Sequence, residues 1–287
     1  MTQKSKDNQE VLDHNEQGDA LHELEKYEEA IACYDEAIRL DPENVEAWIA
    51  KGNVLEEWSG YSHPEAIACY DEAIRLDPEN VGAWIGKGNL LNNFFGEKEA
   101  IACYDEAIRL DPENVEAWIA KGDSLEYLEK YEEAIACYDE AIRLDPENVE
   151  AWNSKGFSLN NLEKYEEAIA CYDEAIRLDP ENVESWNSKG FFLHNLEKYE
   201  EAIACYDEAI KLDPKDNEAW GLKCDILLKQ KKHEEVITCY DERIRLNPKE
   251  DFFWSEKGNL LDKLGRNEEA TLCHNECDRL INQSRDS

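Results

Sequence analysis

The chain has 287 residues and is strongly acidic, with 68 Asp and Glu against 31 Lys and Arg and a formal net charge of −37. Nucleic acids and anionic membrane surfaces are recognised through clustered Lys and Arg, so this charge argues against both as partners. The sequence has no apolar run of the roughly 20 residues that cross a bilayer. Met1–Glu10 lacks the apolar region of a secretory signal. We therefore expect a cytoplasmic protein without membrane association.

A repeat runs through the chain. Intervals of 34 residues separate Trp84, Trp118, Trp152, Trp186, Trp220 and Trp254. Trp48 lies 36 residues before Trp84, which indicates a two-residue insertion around Ser59–Pro64. A period of this length is typical of a solenoid, in which each unit buries its apolar face against its neighbours. We predict a polar tail over residues 1–10, a repeat array over residues 11–284 and a short tail over residues 285–287.

Eight units make up the predicted array, and positions are numbered from the first residue of each unit. The units cover residues 11–44, 45–80, 81–114, 115–148, 149–182, 183–216, 217–250 and 251–284. Each unit is predicted to form two helices. In the fourth, the first helix carries an apolar stripe at Trp118, Gly122, Leu125 and Leu128. The second carries another at Ala134, Ile135, Tyr138, Ala141 and Ile142.

The ends and charges of the second helix follow from local chemistry. Asp145-Pro146 ends this helix, because proline has no N–H and disfavours helical geometry in the residue before it. Asp139 and Arg143 are predicted to form an i,i+4 ion pair. The remaining acidic pairs of the second helices are expected to face solvent on the convex side.

The pattern W-x3-G-x2-L…Y-x2-A-x3-Y-x2-A-x4-P resembles the tetratricopeptide repeat. In the fourth unit it is carried by Trp118, Gly122, Leu125, Tyr131, Ala134, Tyr138, Ala141 and Pro146. The resemblance implies an all-α fold, an α-solenoid wound as a right-handed superhelix of about sixteen antiparallel helices. It also implies that the first helices line a concave groove that binds peptides or partner proteins. The pattern is weaker in the seventh unit, where Cys224, Val236 and Arg243 replace small residues.

One stripe of the first helix changes between two units that are otherwise the same. Val115–Asn148 and Val149–Asn182 differ only in Ile119 to Asn153, Ala120 to Ser154, Asp123 to Phe157, Glu126 to Asn160 and Tyr127 to Asn161. These are positions 5, 6, 9, 12 and 13, which fall on one helix face. A fixed scaffold with one rewritten stripe is typical of a binding surface.

We predict that this stripe lines the groove in units two to six. The predicted groove residues are Ile49, Asn53, Ile85, Asn89, Asn92, Asn93, Ile119, Asp123, Tyr127, Asn153, Phe157, Asn160, Asn161, Asn187, Phe191, His194 and Asn195. Asparagine offers donors and an acceptor to a peptide backbone, and Phe157 and Phe191 would serve as apolar anchors. The predicted function is a monomeric, non-enzymatic scaffold that binds an extended peptide or partner protein.

Two alternatives remain open. The first is a self-assembling repeat array, and the weaker one is a ligand- or metal-binding repeat protein. Lys229, Lys231, Lys232, Arg243, Arg245 and Lys249 form a basic patch in the seventh unit, which is an alternative contact surface for an acidic partner.

Catalytic chemistry finds little support in the sequence, and we predict no catalytic residue, cofactor site or metal site. The six histidines occupy unrelated repeat positions, and no phosphate loop or HExxH motif occurs. Cys273, His274 and Cys277 lie within about one helical turn but lack a fourth ligand. Eight of the ten cysteines recur at one repeat position, which predicts buried, small apolar side chains.

Overall fold

A computed structural model describes residues 3–58, 63–94 and 96–285, and over these residues every regular element is an α-helix. Two compact bodies contain them: an N-terminal body, Met1–Leu162, and a C-terminal body, Glu163–Ser287. The N-terminal body contains α1 Gln3–Glu23, α2 Tyr27–Leu40, α3 Val45–Glu57, α4 His63–Leu76, α5 Val81–Phe94, α6 Glu97–Leu110, α7 Val115–Tyr127, α8 Tyr131–Leu144 and α9 Val149–Asn161. The C-terminal body contains α10 Tyr165–Leu178, α11 Val183–Asn195, α12 Tyr199–Leu212, α13 Asn217–Lys229, α14 His233–Leu246, α15 Asp251–Lys263 and α16 Asn267–Arg285.

The all-α, helix-pair architecture predicted from the period is confirmed. From the second unit onwards, each first helix begins at the residue where the repeat begins. α1 begins at Gln3, upstream of the expected boundary at Val11. The expected insertion around Ser59–Pro64 lies mostly outside the described residues. Among the described helices, none combines the length and the apolar run that crossing a bilayer requires.

Side chains at the start of each unit fix the first helix and the preceding loop. The Asn114 side chain accepts the N–H of Ala117 at 2.8 Å, an N-cap that satisfies one backbone donor of the first turn. Trp118 Nε1 donates to the carbonyl oxygen of Pro112 at 3.0 Å. The same indole-to-proline bond recurs at Trp48, Trp84, Trp152, Trp186, Trp220 and Trp254. The tryptophan therefore clamps the loop between units as well as packing against the helices.

A buried tyrosine joins the two helices of a unit. Tyr138 of α8 is fully buried, and a Cβ built on Gly122 of α7 would lie 2.5 Å from its ring. Equivalent contacts join Gly18 to Tyr34, Gly52 to Tyr70, Gly88 to Tyr104 and Gly190 to Tyr206. In the eighth unit His274 takes the tyrosine's place against Gly258. In these units glycine is required because a side chain would clash with the ring, whereas the seventh unit carries Cys224 at this position.

Ion pairs connect each second helix to the first helix of the next unit. Asp139 pairs with Lys155 at 2.6 Å, and Arg143 pairs with Glu140 one turn before it. The predicted Asp139–Arg143 pair is therefore wrong, because the carboxylate of Asp139 reaches a lysine of the neighbouring helix instead. The same inter-unit pairing joins Asp35 to Lys51, Asp71 to Lys87, Asp105 to Lys121, Asp173 to Lys189, Asp207 to Lys223 and Asp241 to Lys257.

Seven of the eight cysteines at the repeated position are buried as predicted, and Cys33 of the first unit is half-buried. Cys69, Cys103, Cys137, Cys171, Cys205, Cys239 and Cys273 are buried, and none of the cysteines is in a disulfide. No group of three or more His, Cys, Asp and Glu that could hold a metal ion occurs within the described part of the chain.

Two glycines of the C-terminal body give a matched stability test. Gly190→Ala should destabilise the chain by about 1–3 kcal/mol, since its Cβ would lie 2.7 Å from the Tyr206 ring. Gly221→Ala should stabilise it by about 0.5–1 kcal/mol, since no atom lies within 4 Å of the added carbon and alanine favours the helix. Urea unfolding measures both changes. Equal effects of the two substitutions would contradict the ring-against-glycine packing.

Candidate interaction surface

Position 9 of the first helices, a predicted groove position, has a structural partner that the sequence did not reveal. The buried Tyr104 hydroxyl donates to Asn89 Oδ1 at 2.8 Å. Tyr70 donates to Asn53, and Tyr34 and Tyr138 donate to Asp19 and Asp123. A buried hydroxyl needs such an acceptor. The co-occurrence of this tyrosine with Asn or Asp at position 9 is the sequence signal that could have identified the bond.

Units five and six depart from this rule, because they carry phenylalanine at position 9. Phe157 is 44% exposed and Phe191 is 41% exposed, although most large apolar side chains of the array are covered. In the C-terminal body, Tyr206 is 0% exposed, and its hydroxyl has no hydrogen-bond partner among the described residues. Phe191 therefore presents an aromatic ring to solvent at a position where an acceptor would satisfy a buried donor.

The exposed ring of Phe191 packs against a second phenylalanine, Phe192. Phe192 is buried, and its ring contacts that of Phe191 edge-on with centroids 5.3 Å apart. The ring of Phe192 also stacks on Tyr172, with centroids 5.2 Å apart. An exposed ring on a rigid aromatic base is pre-organised for contact with a partner.

Other predicted groove residues are engaged in the scaffold. Ile85 and Ile119 are buried in the packing of the N-terminal body, so they offer little surface. Asn92 accepts the Ser124 hydroxyl of the next unit at 2.7 Å. Asn187 Nδ2 donates to Asp216 Oδ2, and His194 Nε2 lies 2.8 Å from Lys229 Nζ. Position 5 thus belongs partly to the packing between units, which a helical wheel does not show.

The remaining predicted groove residues are more open. Tyr127 is 76% exposed, more than any other large apolar side chain in the described part of the chain. The side chains of Asn53, Asn93, Asn161 and Asn195 are exposed, and those of Ile49, Asn89, Asp123, Asn153 and Asn160 are half-buried. Asn161 Nδ2 donates to the Phe157 carbonyl oxygen at 2.9 Å, which fixes the amide beside the exposed ring. Exposed aromatic and amide groups therefore concentrate at positions 9 and 13.

The predicted basic patch of the seventh unit is reduced by its own contacts. Arg243 is buried, lies 3.9 Å over the Phe253 ring and donates to Asn217 Oδ1 at 2.9 Å. Arg245 pairs with Glu242 at 2.7 Å. The guanidinium groups of this patch are therefore already engaged, which weakens the case for a basic docking surface there.

Two carboxyl groups of the fourth unit sit in a partly desolvated cluster. Glu126 Oε2 accepts the Ser158 hydroxyl at 2.7 Å, and the Tyr138 hydroxyl donates to Asp123 Oδ1 at 2.8 Å. Burial raises the pKa of Glu126 to about 7, and burial also raises the pKa of Asp123. The predicted stripe therefore contains a carboxyl group, that of Glu126, whose pKa lies near neutral pH.

Profiles of one known protein family match the repeat units. A profile described as TPR repeat matches residues 18–57, and profiles described as Tetratricopeptide repeat match residues 98–126, 119–183 and 183–216. The chain belongs to the tetratricopeptide repeat family. No curated protein sequence matches it.

Solved structures share the fold of this tetratricopeptide repeat protein. YrrB, described as a TPR protein with an unusual peptide-binding site, is 26% identical with a TM-score of 0.53, over 66% of this chain and 97% of YrrB. Pseudomonas aeruginosa pilF is 18% identical with a TM-score of 0.65, over 77% of this chain and 99% of pilF. Yeast Tom70 is 20% identical with a TM-score of 0.60, over 89% of this chain and 55% of Tom70. The last two likenesses concern the fold alone.

The tyrosine hydroxyls give a second matched test. Tyr104→Phe should destabilise the chain by about 1 kcal/mol, since it removes the hydrogen bond to Asn89. Tyr206→Phe should be neutral or slightly stabilising, because its hydroxyl is buried without a partner among the described residues. Thermal and urea unfolding of both variants measure the difference. A loss of similar size at Tyr206 would show that its hydroxyl is satisfied.

Glu126 should make stability depend on pH in one direction. Its folded pKa of about 7 lies above the ordinary 4.5, so the folded state binds a proton more readily than the unfolded state. The contribution of Glu126 to stability should therefore rise as pH falls from above 7 towards 4.5, and level off below. Glu126→Gln, which keeps an acceptor for Ser158, should lose this contribution. Unfolding free energies of wild type and variant that run parallel over this pH range would contradict the assignment.

Proposed function

We propose that this chain is a non-enzymatic scaffold that binds an extended peptide or a segment of a partner protein along the concave face of its first helices. The tetratricopeptide repeat fold supports the broader role of a protein-interaction scaffold. The peptide-binding site described for YrrB, which has the same fold, supports the finer role.

The exposure of phenylalanine at position 9 carries this proposal. In units one to four, position 9 holds Asp or Asn, which accepts a hydrogen bond from a buried tyrosine. In unit six, Phe191 leaves the Tyr206 hydroxyl without that acceptor and exposes an apolar ring instead. Neither change stabilises the free chain. A partner that covers the ring would supply the missing stabilisation, because large desolvated aromatics dominate binding energy at interfaces.

Polar groups beside the rings suit an extended backbone. Asn161 is exposed next to Phe157 and held by its bond to the Phe157 carbonyl, so its Oδ1 remains an acceptor for a peptide N–H. Asn195 occupies the same position in unit six and is exposed. Rings would select apolar side chains of the partner, while amides would pair with its backbone whatever its sequence.

Self-association is a second candidate, favoured by two exposed apolar residues. Leu12 and Phe252 are each 54% exposed at position 2, where most other units carry Glu. We propose the monomer as the binding species, and sedimentation velocity over a range of concentrations separates the two. Association that disappears in Leu12→Glu and Phe252→Glu would favour the self-assembling array.

Replacing each ring by the residue found in other units tests the proposal without a large change in stability. Phe191→Asn supplies an acceptor for Tyr206, which offsets the lost ring packing, so the unfolding free energy should stay within about 1 kcal/mol of wild type. Peptides selected from a random display library against the intact chain should bind Phe157→Asn and Phe191→Asn more weakly, by about 2 kcal/mol each. Fluorescence anisotropy measures these affinities.

Leu272→Asn is the control, because Leu272 is 68% exposed on α16, outside the first helices. Its affinity for the same peptides should match that of wild type. Selected peptides that bind both Phe variants as tightly as wild type would place the binding site away from position 9.

A further inference from the structure

A cavity of about 460 Å³ opens on the first helices of the N-terminal body, away from the phenylalanine positions. Four of its lining residues are predicted groove residues, namely Ile49, Asn53, Ile85 and Asn89. The others are His22, Glu56, Glu57, Tyr70, Gly82, Gly86 and Glu116. The lining therefore combines an apolar part, two amides and three carboxyl groups.

Gly82 of α5 opens the space, whereas a Cβ at Gly86 would lie 2.6 Å from the Tyr70 ring, so packing excludes a side chain there. Position 2 is Gly82 in this unit, whereas the units on either side carry Glu46 and Glu116. Position 6 is Gly86, where the same neighbouring units carry Ala50 and Ala120. A Cβ at Gly82 would meet only Asn80 Oδ1, at 3.4 Å, so packing does not require glycine at that position. The missing side chain at position 2 is thus specific to this unit and is not required by the fold.

The polar groups of the cavity are oriented by bonds within the scaffold. The Tyr70 hydroxyl donates to Asn53 Oδ1 at 2.7 Å and lies 3.3 Å from Glu56 Oε2. The Tyr104 hydroxyl donates to Asn89 Oδ1 at 2.8 Å. With their oxygens engaged, Asn53 and Asn89 have N–H groups to offer, which suit the carbonyl oxygens of a peptide backbone.

The carboxyl groups of the cavity lining outnumber its basic side chains. Glu56, Glu57 and Glu116 line it, and the single basic side chain among its lining residues is His22, whose Nε2 lies 2.9 Å from Glu57 Oε2. The lysines of these first helices do not reduce this charge. Lys51 and Lys87 pair with Asp35 and Asp71 of the second helices instead. The lining therefore attracts a cation that carries an alkyl stem, which the half-buried Ile49 can cover.

We propose that this cavity receives a lysine or arginine side chain of the bound segment, so that the partner is a basic peptide. The proposal rests on the peptide-binding function above and adds its charge preference. The side-chain stem lies against Ile49, the cationic head meets the carboxylates of the lining, and the backbone carbonyls accept from Asn53 and Asn89.

A single-lysine peptide tests the proposal. The probe is an acetylated, amidated peptide of alternating Ser and Ala with one central lysine, and its partner probe carries acetyl-lysine there. The lysine peptide should shift the side-chain amide NMR signals of Asn53 and Asn89, and the acetyl-lysine peptide should bind about tenfold more weakly. The triple variant Glu56→Gln, Glu57→Gln, Glu116→Gln should lose about the same factor, because each exposed charge pair contributes modestly.

Two further variants test whether binding of the lysine peptide depends on the position of the carboxylates and on the open space of the cavity. Glu79→Gln, Glu113→Gln, Glu132→Gln removes the same charge from exposed positions outside the lining and should leave binding unchanged. Gly82→Gln keeps the three carboxylates but fills the space, and it should abolish the amide shifts. Equal losses in the two triple variants, or undiminished shifts in Gly82→Gln, would overturn the proposal.

The experiments distinguish a failure of the basic-peptide proposal from a failure of the proposed peptide-binding function. Display-selected peptides that depend on Phe157 and Phe191, together with a lysine probe that leaves the Asn53 and Asn89 signals unmoved, would overturn the basic preference alone. If the selected peptides bind the Phe157 and Phe191 variants as tightly as wild type while the lysine probe behaves as expected, the cavity would be supported. The extended binding site at position 9 would then be wrong.

Discussion

The contact between a buried tyrosine and the first helix of its unit is the interaction on which the rest of the array depends. The ring lies against a glycine, which sets how closely the two helices approach. In the first four units the tyrosine hydroxyl donates a hydrogen bond to the Asn or Asp side chain at position 9. Because a solenoid transmits its geometry from neighbour to neighbour, an error in this distance would propagate along each body.

The same contact explains why position 9 has two uses. In the first four units its side chain accepts a hydrogen bond from the buried tyrosine, and the side chain remains at least partly accessible to a partner. In Asn53 and Asn89 the two uses coexist, because an amide can accept from tyrosine and still donate to a partner. In Phe191 they conflict, since the ring exposes apolar surface and leaves a buried hydroxyl without an acceptor in the described structure. Local disagreement with the scaffold of this kind is expected where function, rather than stability, determines the residue.

The sequence predicted the fold closely because the relevant information is local and repeated. Proline after every second helix except the last and Asn before most first helices mark the boundaries, and the period places the helix pairs. Partners were harder to predict, since a helical wheel gives the direction of a side chain but not what it meets. Ile119 points along the predicted stripe and is nevertheless buried. Asp139 has a lysine of the next helix within reach, which spacing along its own helix does not reveal.

The charge of the chain has a similar explanation. Second helices carry an excess of acidic residues, but one Asp of each of α2, α4, α6, α8, α10, α12 and α14 pairs with a lysine of the next unit. The Asp side chain of each pair is more than half exposed, so each pair contributes only modestly to stability. Glu116, by contrast, is exposed and lines the cavity on the first helices of the N-terminal body, where it can meet a partner.

A double-mutant cycle between Phe191 and Tyr206 tests the central claim most directly. The unfolding free energies of wild type, Phe191→Asn, Tyr206→Phe and the double variant give the coupling between the two sites. If position 9 is the acceptor for the buried hydroxyl, Phe191→Asn should be more favourable by about 1 kcal/mol when Tyr206 is present than when it is phenylalanine. A coupling energy of zero would show that the introduced amide does not meet the hydroxyl, and the dual use of position 9 would be wrong.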